Sequence, residues 1–180
     1  MKILVLSDSH GAFENTKKVV EAYMGSSDMV IHLGDVLYHG PRNPLPESYN
    51  PMELAKYLHN KKIAYVRGNC DADVDLMLLG KKRMPRHLLY TFGKHRFLFI
   101  HGEQLAEKSY SEFLDKYKAD ILIHGHTHIP FIRKENNIIT ANPGSCGLPK
   151  NGYKPSYMII DDEKISILDL SGNAMFEQVL

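Results

Sequence analysis

Residues 2–35, KILVLSDSHGAFENTKKVVEAYMGSSDMVIHLGD, set the architecture of the chain. The run KILVLS over 2–7 is apolar and rich in branched side chains, the pattern of a strand covered on both faces. Residues 13–24 place Phe13, Val19, Val20, Tyr23 and Met24 at helical spacing, and Gly25 offers a C-terminal stop. Residues 29–33, MVIHL, give a second covered strand. Strand, helix and strand in that order predict a parallel pair with a right-handed crossover. Both strands end on residues able to do chemistry: Asp8-Ser9-His10 after the first, Gly34-Asp35 after the second.

The same grammar runs on downstream. Residues 36–50 carry three prolines and form a loop, and a loop of that length in a compact domain is usually functional. A helix follows over 51–60, with Pro51 in its first turn. A third strand over 62–66 ends at Arg67-Gly68-Asn69, and a short helix is expected over 74–80. The second half is richer in strands: 87–92 and 95–100 about Gly93-Lys94, then a helix near 109–118 and a strand at 120–124. Two more hairpins are expected, 129–134 with 137–141 and 156–161 with 164–170. The expectation is one α/β domain over 1–180 with two sheets, the first half parallel and the second mostly antiparallel.

Composition narrows the function classes. The net charge of +1 gives no general attraction for nucleic acid or anionic membrane. Two cysteines, Cys70 and Cys146, without CxxC spacing exclude a disulfide framework and a cysteine zinc site. No apolar run reaches the roughly 20 residues of a membrane span, and Ile3–Leu6 is too short for a signal peptide core. A cytoplasmic location is therefore expected. Ten histidines in 180 residues are many, and point to metal.

Five motifs sit at strand exits: Asp8-Ser9-His10, Gly34-Asp35, Gly68-Asn69-Cys70-Asp71, His101-Gly102 and Gly125-His126-Thr127-His128. Ligands of open α/β sheets bind outside the carboxyl ends of the strands, so these motifs can meet. In an extended segment residues i and i+2 share a side, which predicts that Asp8 and His10 face one point, and likewise His126 and His128. Two carboxylates, four imidazoles and one amide suit Mn, Fe, Co, Ni or Zn. Seven side chains are too many for one ion and fit two if a carboxylate bridges. Two divalent ions with two carboxylates and a hydroxide leave the site about one unit positive, which favours an anionic substrate.

At these residues the sequence resembles the calcineurin-like metallophosphoesterases, whose pattern is D-x-H, G-D, G-N-[HC]-[DE], H-G and G-H-x-H. The resemblance is closer still to the small bacterial YfcE-type phosphodiesterases, through GDVLYHGPRNPLPESYNP, VRGNCD and NPGS near Asn142. The resemblance implies a four-layer αββα sandwich of two mixed sheets, as a bare catalytic domain. It implies that Asp8, His10 and His128 hold one metal, that Asn69, His101 and His126 hold the other, and that Asp35 bridges. Manganese heads the expected cations, ahead of Zn, Fe, Co, Ni or Mg. Hydroxide held between them would attack phosphorus in line. Many members have histidine where Cys70 stands, and a thiol is a weaker hydrogen-bond donor. Good leaving groups, such as aryl esters, should therefore turn over faster than alkyl ones.

The remaining residues carry weaker expectations. Asn69, Cys70 and Asp71 are the catalytic candidates, with Asp71 orienting a ligand histidine. His39, Arg42 and Asn43 are expected to touch substrate, because their loop starts at the centre. Arg67 either orients the site or pairs with a carboxylate. Asn142 to Ser145 read as a turn and no more. His124 is expected to pack or support a ligand, His32 to be a satisfied core histidine, and His59, His87 and His95 to be solvated. The apolar tail Phe176 to Leu180 suggests a subunit contact and hence a homo-oligomer. The leading activity is phosphodiester hydrolysis on a small phosphate ester. The alternatives are a phosphomonoesterase of the same mechanism, a nuclease, and a non-catalytic scaffold of this fold that binds proteins.

Overall fold

The computed structural model describes residues 1–106, 109–136 and 138–180. Strands β1 (Ile3–Leu6), β2 (Met29–His32) and β3 (Ala64–Tyr65) pair in parallel, with Ile3 beside Met29 and Ile31 beside Ala64. Helix α1 (Phe13–Tyr23) connects the first two, and α2 (Pro51–Leu58) precedes the third. Asn50 caps α2 by accepting from the Glu53 amide, and Pro51 takes the first helical position, where no N–H is needed. Helix α3 (Asp73–Leu78) follows β3.

The first sheet is finished from the other end of the chain. Strands β9 (Ser156–Ile160), β10 (Lys164–Asp169) and β11 (Ala174–Val179) extend it antiparallel, in the order β11-β10-β9-β1-β2-β3. The second sheet has the order β4-β5-β6-β8-β7, from β4 (His87–Phe92), β5 (His95–Ile100), β6 (Ile121–His124), β7 (Phe131–Glu135) and β8 (Ile138–Asn142). Its central pairs β5·β6 and β6·β8 are parallel. The strand expected over 137–141 begins at residue 137, which lies outside the described residues.

The period of two along each strand divides the core into layers. On β1, Leu4 and Leu6 face α1 and α2 and pack with Val19, Val20, Leu54 and Leu58. Ile3 and Val5 face the second sheet and meet Phe97, Phe99, Ile121 and Ile123. The far side of that sheet, Leu98, Ile100 and Leu122, packs on Phe113 and Leu114 of α4 (Tyr110–Tyr117). Each such side chain removed from water contributes about 1.5–3 kcal/mol. Helices, sheet, sheet and helix give the expected αββα sandwich.

One element differs from expectation. A strand not expected from the sequence, β11, forms the sheet edge over most of the apolar tail, with Phe176 opposite Ile167 and packed between the sheets. Asp169 makes its turn by accepting from the Ser171 and Asn173 amides and the Asn173 side chain. Among the described residues no helix is long and apolar enough to cross a membrane.

Candidate metal centre

The exits of β1, β2, β3, β5 and β6 lie at one end of the sandwich, and their loops are tied together. The Asp8 amide donates to Gly34 O, the His10 amide to Asp35 O, and the His126 amide to Asp8 Oδ2. The glycines allow this proximity. A Cβ on Gly68 would sit 2.1 Å from Asp35 Oδ1, and one on Gly34, at φ +103°, would sit 2.4 Å from the Gly68 amide nitrogen.

The ligand candidates reach the centre by a backbone route that the spacing argument missed. Asp8, His10, Asp35, His126 and His128 all have positive φ, between 45° and 68°. They make up five of the eight non-glycine residues in that region among the described residues. The left-handed conformation is costly for histidine and aspartate, and such residues gather where function holds them. Asp8 and His10 are thus not an extended pair. His126 and His128 do not face one point either, and each enters a different cluster.

In the first cluster His10 Nε2 lies 3.2 Å from His128 Nε2 and 3.8 Å from Asp8 Oδ1, and His128 Nε2 lies 3.3 Å from Asp8 Oδ1. In the second, His101 Nε2 lies 3.1 Å from Asn69 Oδ1 and 3.3 Å from His126 Nδ1. Asp35 Oδ2 stands between them, 3.7 Å from His10 Nε2 and 3.4 Å from His101 Nε2. Its other oxygen accepts from the Cys70 amide at 2.8 Å.

The hydrogen bonds behind the rings fix their tautomers. His10 Nδ1 donates to Tyr38 O at 2.7 Å and His128 Nδ1 to Leu148 O at 2.6 Å. A carbonyl only accepts, so in the neutral rings both Nε2 atoms carry lone pairs. These lone pairs point at each other and at Asp8 Oδ1, which is buried without any hydrogen-bond partner. Acceptors converging in a buried place are stabilised by a cation. The second cluster expresses the same demand. Burial disfavours charge on His101, yet the Asp35 carboxylate beside it and Asp8 beyond raise it to about 9. Burial also opposes the ionised form of Asp8, and the imidazoles of His128, His101 and His10 outweigh it, keeping the carboxyl below its usual range. The residues present therefore fit divalent cations.

Several expected site residues take other places. Asp71 does not orient a histidine: its carboxylate accepts from the Asp35, Val36 and Gly68 amides at 2.7–2.9 Å, locking the loops after β2 and β3 together. Asn142 and Ser145 do more than make a turn. Asn142 Nδ2 donates to Gly125 O and Thr127 Oγ1, and Ser145 Oγ to Asp8 O, so this segment braces both histidine loops. Arg67 pairs with Asp73 at 2.9 Å. His32 is buried with Nε2 on Ser9 Oγ and Nδ1 accepting from the Gly34 amide. His124 packs between Tyr110 and Phe131, with a buried Nε2 that has no partner. His95 is half-buried rather than solvated, and its Nε2 is also without a partner.

Over the two clusters opens a cleft of about 800 Å³. Arg42 and Asn43 line it as expected, and His39 does not: its ring is packed between Tyr38 and Tyr49. Tyr38, Gly40, Pro41, Ala72 and Lys150 also line it and were not singled out from sequence. The GPRNP run flags the first loop, whereas nothing in the local sequence flags Lys150. Cys70 lines the cleft as a thiol, which burial, then the neighbouring Asp35, push up to about 12. The Asn69 side-chain amide donates to its sulfur at 3.3 Å, turning Asn69 Oδ1 toward His101.

Comparison with known proteins agrees with this geometry. The calcineurin-like phosphoesterase superfamily domain matches residues 1–164. Phosphodiesterase YfcE of Escherichia coli strain K12 is 36% identical over 182 residues, covering 99% of this chain and 97% of that protein. The solved structure of that E. coli phosphoesterase superposes with a TM-score of 0.86, covering 99% of this chain and 98% of its own. Vacuolar protein sorting 29 from Cryptosporidium parvum shares the fold, with a TM-score of 0.70 at 20% identity, covering 99% of this chain and 97% of its own. The chain belongs to the calcineurin-like phosphoesterase superfamily, as a metal-dependent phosphoesterase.

Proposed function

We propose that the chain is a phosphodiesterase working with two divalent cations, manganese first among them. Asp8, His10 and His128 would hold one and Asn69, His101 and His126 the other, with Asp35 Oδ2 shared. The observation that carries this reading is the double convergence of acceptor atoms on either side of one carboxylate oxygen. A bound pair of such cations supplies hydroxide near neutral pH and offsets the charge of a phosphate. The donor set of nitrogen and oxygen suits manganese and its neighbours.

The chain's own residues supply position and polarity. The carbonyls of Tyr38 and Leu148 keep the His10 and His128 rings oriented. Asp71 holds the Asp35 and Gly68 backbones in register. Asn69 presents Oδ1 to the second cluster. Cys70, with its weak S–H, gives little help to a poor leaving group. The kinship to a phosphodiesterase favours diesters over monoesters.

The test is Asp35→Asn, which keeps shape and removes the shared anion. Metal content should fall at both clusters, and hydrolysis of bis(4-nitrophenyl) phosphate should drop by at least about a hundredfold. Turnover near wild type in that variant would refute the assignment.

A further inference from the structure

Two loops that orient the first cluster also carry the cleft's cations. His10 donates to Tyr38 O, and Arg42 lies four residues beyond Tyr38 on the same loop. His128 donates to Leu148 O, and Lys150 lies two residues beyond Leu148, its own amide bonded to His128 O at 3.3 Å. Both side chains are exposed and line the cleft. Among the described residues neither has an ion-pair or hydrogen-bonded side-chain partner, while Lys56, Arg67, Arg86, Arg133, Lys154 and Lys164 all pair with carboxylates. Apart from the ligand set, Arg42 and Lys150 are the only charged groups among the described residues that line the cleft.

The size of the cleft matters here. At about 800 Å³ it lies in the range of pockets that enclose a whole small molecule, well beyond what one phosphoryl group fills. The candidate ligands His10, Asp35, Asn69, His126 and His128 line the same cleft, so an ester held at their cations leaves room in it for a further group. Among the described residues no carboxylate pairs with Arg42 or Lys150 to compete for that group. A guanidinium fork and an ammonium facing one volume match a phosphate oxygen set. Tyr38, 41% exposed, supplies an aromatic surface on the same wall.

We infer that Arg42 and Lys150 form a second anion-binding point, so that the preferred substrates are phosphate esters bearing a further anionic group, a phosphate above all, across a short organic spacer. This rests on the phosphodiesterase reading for the reaction itself, and the binding of the second anion can be measured without it.

The experiment compares two chromogenic diesters on the manganese-loaded protein: the 4-nitrophenyl ester of thymidine 5′-phosphate, with and without a second phosphate on the 3′ oxygen. Leaving group and reacting phosphorus are the same in both. Wild type should prefer the doubly phosphorylated ester by about tenfold or more in kcat/KM. In Arg42→Met/Lys150→Met the ratio should fall to about one. Lys94→Met, which removes a remote charge at a hairpin, should keep the wild-type ratio. A ratio near one in wild type, or a preference that survives the double substitution, overturns the inference. If neither ester is hydrolysed, the phosphodiesterase reading fails. Calorimetry with thymidine 3′,5′-bisphosphate against thymidine 5′-monophosphate then decides the anion point alone. Tighter binding of the bisphosphate, lost in the double variant, supports it, and equal affinity overturns it.

Discussion

The Nε2 atoms of His10 and His128 face each other at 3.2 Å, each ring held by a backbone carbonyl at its opposite nitrogen. Two neutral imidazoles in that pose repel through their lone pairs. Only a cation between them, or a proton on one, makes the arrangement favourable. The fold keeps them there by placing both residues in the left-handed region, at φ 45° and 61°.

Cations should therefore stabilise the folded chain strongly. A cation that binds only the native state, present at a thousand times its Kd, adds about 4 kcal/mol. For a domain of this size that is a rise of roughly 8–16 °C in Tm. Thermal scans with manganese and with a chelator check this, and equal Tm values in both would contradict it.

Acid should weaken the metal-free protein through two buried histidines. Burial lowers His32 and His124 from 6.5 to about 4. Above pH 6.5 both are neutral in folded and unfolded chains and make no difference. Between pH 6.5 and 4 the unfolded chain takes up protons that the folded one refuses, so stability falls with falling pH by about 3 kcal/mol for each. Urea unfolding across this window measures the loss. NMR titration should show His32 unchanged until below about pH 5, and a midpoint near 6.5 would contradict the account.

Gly68 is where the second and third strand loops interlock. With the added carbon 2.1 Å from Asp35 Oδ1, Gly68→Ala must displace the Asp35 carboxylate. Overpacking of this kind costs about 1–3 kcal/mol. Hydrolysis should fall by about ten- to a hundredfold, as when a group that orients a metal ligand is lost. Wild-type activity in this variant would show that the interlock has no part in placing Asp35.

Cys70 leads to a preference in leaving groups. A cysteine S–H donates weakly, so aryl diesters should be cleaved faster than alkyl diesters under conditions limited by chemistry. Equal rates would contradict this.

Much of this was legible in the sequence because its chemistry is carried by short local signals. Asp8-x-His10, Gly34-Asp35 and Gly125-His126-x-His128 each end a covered strand, and parallel strands bring such ends together. What was not legible depended on backbone geometry or distant contacts. An i, i+2 rule cannot foresee that Asp8 and His10 sit at positive φ, or that His126 and His128 part to different clusters. The Asp71 carboxylate next to a ligand suggests chemistry, and only the fold shows it spent on three amides. Lys150 enters the cleft because Leu148 meets His128, a contact across 20 residues. The β11 strand was missed because its apolar residues, Met175, Phe176 and Val179, lack clean alternation. Its pairing with β10 comes from the Asp169 turn.

An anomalous-difference map from crystals grown with manganese tests the central claim most directly. The account predicts two peaks flanking Asp35 Oδ2, one among Asp8, His10 and His128 and the other among Asn69, His101 and His126. A single peak, or metal that does not touch Asp35, would contradict it.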